Sequence, residues 1–159
     1  MRTIPRRTLL LAVVIGMLAS SPVASQTADG FMGTWKLNTA KSKSTPPGPK
    51  SLTVVFAKAP GGFTATATGV NADDTPLKTT YTATYDGKDS PVTGAADWDA
   101  VAVTMMDANT RHTVRKKAGK EVQTLHSVLA KDGKSFTTTT TGVNGKGEKV
   151  EATLVFEKQ

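Results

Sequence analysis

The stretch Leu77-Lys78-Thr79-Thr80-Tyr81-Thr82-Ala83-Thr84-Tyr85-Asp86-Gly87 decides the fold class. Leu77, Thr79, Tyr81, Ala83 and Tyr85 fall on one side of an extended chain, with Lys78, Thr80, Thr82 and Thr84 on the other. A period of two marks a strand with one face buried and one face wet. Threonine suits the wet face, because its branched Cβ fits a pleated surface while its hydroxyl stays hydrated. Asp86-Gly87 then supplies residues that tolerate positive φ, which a tight hairpin demands.

The same pattern extends in both directions. Upstream, strands are predicted over 51–58, with Leu52, Val54 and Phe56 on one face, and over 63–70, where Phe63, Ala65 and Ala67 alternate with threonines. Ala59-Pro60-Gly61-Gly62 and residues 71–76 turn the chain. A first strand begins at Thr34-Trp35-Lys36-Leu37, and residues 42–50 read as a polar crossing because Pro46, Pro47 and Pro49 donate no hydrogen bond. Downstream, a short piece at 90–93 precedes an Asp97-Trp98-Asp99 corner. Strands follow over 100–106, 110–116, 121–129, 135–143 and 149–157, separated by turns at 107–109, 118–119, 132–133 and 144–147. The stretch 63–71 recurs at 136–144, with threonine in place of both alanines.

Strands in sequence order, each with one apolar face, must curl to hide that face and their edges. The expected fold is all-β: an antiparallel up-and-down barrel of about eight to ten strands. A two-sheet sandwich is the alternative.

Residues 1–25 stand outside this pattern. Arg2, Arg6 and Arg7 precede an uncharged, largely apolar run over 9–18, and Val23-Ala24-Ser25 offers the small residues of a cleavage site. The run falls short of the about 20 residues that a spanning helix needs. The expected organisation is a cleaved signal peptide at 1–25 and one domain over 26–159, exported to the periplasm or the medium. The signal holds three arginines and no acids, so its removal lowers the formal charge from +7 to +4. That charge supports solubility and gives little reason to expect nucleic acid. The lack of cysteine excludes a disulfide scaffold, a zinc ribbon and a cysteine nucleophile.

Phe31-Met32-Gly33-Thr34-Trp35-Lys36-Leu37 resembles the opening of the calycin superfamily, which joins lipocalins and fatty-acid-binding proteins. Gly33 and Trp35 match its Gly-x-Trp element, and Leu154-Val155-Phe156-Glu157-Lys158 is similar to the final strand of the fatty-acid-binding branch. Small secreted bacterial proteins of lipocalin-like type share this plan. The resemblance implies that Trp35 packs beneath the first strand at the closed end of a barrel. Two departures follow. The segment between Leu37 and Ser51 is too short for that branch's helix-turn-helix lid, and Leu154 and Phe156 stand where many members carry an Arg-x-Tyr clamp for a carboxylate.

Few residues offer chemistry. His112 lies in a basic strand with Arg111 and Arg115, and the whole hairpin through Lys116, Lys117 and Lys120 reads as solvated. It lacks the interleaved aromatics of a nucleic-acid surface. His126 shares a face with Val122, Thr124 and Val128, opposite Leu125 and Leu129. No metal-ligand spacing occurs, so neither metal nor cofactor is expected. The paired aspartates at 73/74, 86/89 and 97/99 fall in turns, where aspartate bonds its own backbone. Strand faces of threonine and lysine, without aromatic girdles, argue against stable membrane insertion.

The leading expectation is a non-enzymatic, lipocalin-like protein that holds a small apolar ligand inside the barrel. The candidate lining is Ala65, Ala67, Tyr81, Tyr85, Met105, His126, Leu154 and Phe156. One alternative is a packed barrel that binds or inhibits a partner through its surface, at the 42–50 crossing and the basic hairpin. Another is a small enzyme using His126 with a nearby Tyr or Asp. Whether the lumen is hollow or filled separates the first reading from the second.

Overall fold

A computed structural model describes residues 29–159, so the signal peptide expected at 1–25 lies outside the described residues. Ten strands follow one another: β1 (Gly33–Thr45), β2 (Ser51–Ala59), β3 (Gly62–Val70), β4 (Pro76–Thr84), β5 (Asp86–Thr93), β6 (Ala100–Asp107), β7 (Thr110–Lys117), β8 (Lys120–Leu129), β9 (Ser135–Val143) and β10 (Lys149–Lys158). Each pairs antiparallel with the next, and β1 pairs with β10. The sheet is therefore a closed up-and-down barrel, not a sandwich. Closure leaves no edge strand to be covered.

Two local expectations are corrected. β1 runs on through residues 42–45, part of the expected crossing, and stops where Pro46 removes the next donor. Its register on β10 shifts between Asn38 and Lys43, and it pairs with β2 only over 33–36. The second half of β1 thus follows β10 and leaves β2. The hairpin at Asp86-Gly87 is centred as predicted but splayed. β4 and β5 pair only at Thr80–Thr93 and Tyr81–Val92, while the start of β5 pairs with β6 through Asp86–Thr104 and Asp89–Ala102. The ring of Tyr85 lies stacked on Phe63, with centroids 5.2 Å apart, where a regular hairpin would continue its ladder. β5 is accordingly a strand of eight residues, longer than the short piece expected at 90–93.

The aromatic core collects at one end of the barrel. Trp35 is fully buried, donates its indole N–H to the Phe31 carbonyl at 2.7 Å, and meets Phe136 edge-on at 4.9 Å. Phe136 stacks on Phe156 at 4.7 Å, and Lys158 sits 5.1 Å over the Trp35 ring. This is the plug that the Gly33-x-Trp35 element implied.

The repeated stretches occupy equivalent places. Each starts at the plug with a buried phenylalanine, Phe63 on β3 and Phe136 on β9. Each ends at a glycine, Gly69 or Gly142, where a Cβ would run into the backbone of the neighbouring strand. Only glycine permits that close approach.

Candidate functional site: the barrel lumen

Beyond the plug lies a cavity of about 470 Å³. Its lining reaches Pro49, Asn71, Pro76 and residues 94–98, all at the loop end opposite the plug. The lumen is hollow.

Strand parity gives the cavity two unlike walls. One is apolar, from Leu52 and Val54 on β2, Ala65 and Ala67 on β3, and Leu154 and Phe156 on β10. The other is polar, from Arg111, Thr113 and Arg115 on β7, Ser127 on β8, and Thr138 and Thr140 on β9. The repeat explains part of this contrast, since Ala65 and Ala67 in the first copy correspond to Thr138 and Thr140 in the second. Ser127 and Thr138 share a buried hydroxyl–hydroxyl bond of 2.7 Å, which satisfies both in the wall.

Of the residues proposed from sequence, Ala65, Ala67, Tyr81, Leu154 and Phe156 line the cavity. Three are placed elsewhere. Tyr85 packs on Phe63 and donates its hydroxyl to Asp29. Met105 packs, partly buried, against the plug cluster. His126 is exposed on the outer wall, paired across the sheet with His112. Leu125 and Leu129 take the inward parity of β8, so His126 must face out.

The same parity overturns the solvated reading of the basic strand. Arg111, Thr113 and Arg115 point inward, and His112 lies on the opposite face of β7. The signal was present in the partners. Thr113 pairs with Val103 on β6 and Leu125 on β8, both buried, and paired residues share a face.

The two arginines have different environments. Arg111 is 3% exposed, with Nη2 at 3.1 Å from Asp29 Oδ2. Its guanidinium carbon lies 4.2, 4.4 and 4.7 Å from the ring centroids of Phe31, Phe63 and Phe56. Its Nε is buried without a protein partner among the described residues. Burial, reinforced by the hydrogen bond to Asp29, pushes the Tyr85 phenol far above its ordinary value.

Arg115 lies nearer the loops. Its guanidinium carbon is 4.2 Å from the Trp98 ring centroid, and Nη1 donates to Gln123 Oε1 at 2.8 Å. Among the described residues it makes no ion pair. Burial pushes this guanidinium below its usual range, opposed by Tyr81 and Asp97. Burial also raises the Tyr81 phenol, against the pull of Arg111 and Arg115.

The loop that carries Trp98 is tied to β7. The Asp99 N–H donates to the Lys116 carbonyl at 2.8 Å, and Lys117 Nζ donates to the Ala96 carbonyl at 3.0 Å. Gly94 enters it at φ +85°, where a Cβ would also meet the Lys78 carbonyl. In sequence Trp98 belongs to a short corner, Asp97-Trp98-Asp99, whose lack of strand alternation gives no sign of a lumenal role.

No protein-family model matches the chain, and no curated protein matches it. A solved structure similar to it is the zebrafish ileal bile acid-binding protein in complex with cholic acid. The two are 13% identical, with a TM-score of 0.48, and the match covers 82% of this chain and 99% of that one. The chain forms a ten-stranded closed antiparallel meander with Trp35 buried at one end.

Proposed function

We propose that this protein binds one small, mostly apolar molecule in its barrel and performs no catalysis. The cavity carries this reading. A lumen of about 470 Å³ lies within the roughly 300–1,000 Å³ of pockets that take one drug-sized ligand. A barrel filled by its own side chains would have to act through its surface. The walls suit binding, with a broad apolar side and a few fixed polar groups opposite. His126, on which an enzymatic reading rested, is turned away from this space. We further propose that residues 1–25 direct the chain out of the cytoplasm, so that the barrel meets its ligand in the periplasm or the medium.

A neutral apolar dye, N-phenylnaphthylamine, tests the reading. It should bind the folded protein one to one, and Ala67→Trp should weaken binding by at least about tenfold by filling the cavity, with the far-ultraviolet circular dichroism unchanged. Equal binding to both forms would place the dye, and the function, outside the lumen.

A further inference from the structure

We propose that the lumenal ligand carries one anionic head, and that Arg115 is its counter-ion. This rests on the lumen being the binding site and adds the chemical class of what enters it. Arg111 already has its carboxylate in Asp29, and three phenyl rings lie against its guanidinium. Arg115 has neither. Its one side-chain partner, Gln123, is neutral, and Gln123 is itself held by donating to the Val143 carbonyl at 3.2 Å. Trp98 lies over the guanidinium and fixes its plane, while Nε and Nη2 make no hydrogen bond to protein among the described residues.

Arg115 is half-buried, so its open fork meets the lumen, and an entering acid replaces water there with a planar, charge-assisted pair. The only carboxylate in the cavity lining, Asp97, is directed at Gly145, where an added Cβ would crowd its Oδ1. It forms no ion pair with Arg115, but it opposes an incoming anion. The place of Arg115 also sets the ligand's direction. The head lies toward the 94–98 loop, and the tail runs along Leu52, Val54, Ala65 and Ala67 toward the plug. The occupant is thus a single-chain amphiphile with an acid group, not a neutral hydrocarbon.

Dodecanoic acid and dodecanol share a tail and differ in the head. In isothermal titration calorimetry at neutral pH, the acid should bind wild type about tenfold tighter than the alcohol. Arg115→Met should abolish that advantage. Arg115→Lys should keep part of it, because charge remains while the fork is lost. Asp97→Asn should widen it. Circular dichroism on each variant confirms that the strands persist. Equal affinities of wild type for acid and alcohol would overturn the anionic assignment and leave the lumen reading standing. Failure of both ligands to bind would overturn the two together. Equal weakening of both ligands in Arg115→Met and in Arg115→Lys would reduce Arg115 to a structural residue.

Discussion

Arg111 and Arg115 stand four residues apart on β7 and point the same way, yet they belong to different parts of the molecule. Arg111 is built into the plug end, where Asp29 neutralises it and aromatic rings surround it. Arg115 faces the lumen from the loop end, on Trp98, with a neutral amide for a partner. A buried charge whose counter-ion is supplied by the fold becomes part of the structure. A half-buried charge without a counter-ion, such as Arg115, remains available to a ligand. The contrast predicts that damage at the plug end appears as lost stability, and damage at the loop end as lost binding.

Trp35→Ala gives the largest effect. It removes the largest fully buried side chain together with its bond to the Phe31 carbonyl, and should cost about 3–5 kcal/mol in urea unfolding. Arg111→Met comes next. It strands Asp29 in a partly buried site and should cost about 3 kcal/mol. Arg115→Met should stay within about 1 kcal/mol of wild type, because no carboxylate is abandoned. A similar large loss from both arginine variants would break the comparison, since Arg115 would then be as structural as Arg111.

The fold was legible because alternation of apolar residues and threonine leaves little choice. The strand order and nearly every turn follow from it, while the plug of Trp35 was implied by the resemblance that Gly33-x-Trp35 carries. What failed locally failed for want of tertiary information. The splayed β4–β5 hairpin depends on Tyr85 docking on Phe63, which no turn signal encodes. The site was half legible. Ala65, Ala67, Tyr81, Leu154 and Phe156 lie on strands whose inner face is marked by apolar residues. β7 bears no such mark, since Arg111, Thr113 and Arg115 look like a surface and His112 looks no different. Its parity is set by Val103 and Leu125 across the ladder. The positions that would hold a carboxylate clamp on β10 are apolar, and the charge enters the lumen from the opposite wall.

The smallest effect distinguishes the two ends through their tyrosines. Tyr85 lies beside Asp29 at the plug end, and Tyr81 lines the lumen near Trp98, with centroids 6.1 Å apart. Both phenols are held above the ordinary value of 10.0, each chiefly by burial. The folded state therefore keeps protons that the unfolded chain releases above about pH 10, and stability should be full below that pH and fall as pH rises through it. Tyr85→Phe should make the fall shallower, as should Tyr81→Phe. Arg115→Met should act on one tyrosine only. Arg115 favours the Tyr81 phenolate but has no part in the Tyr85 shift, so its loss should raise Tyr81 further and leave Tyr85 in place. Ultraviolet titration of the single-tyrosine proteins reads each phenol separately. A Tyr81 that ionises near its ordinary value while the barrel stays folded would mean that the loop end is wet, and that Arg115 is solvated instead of waiting for an acid.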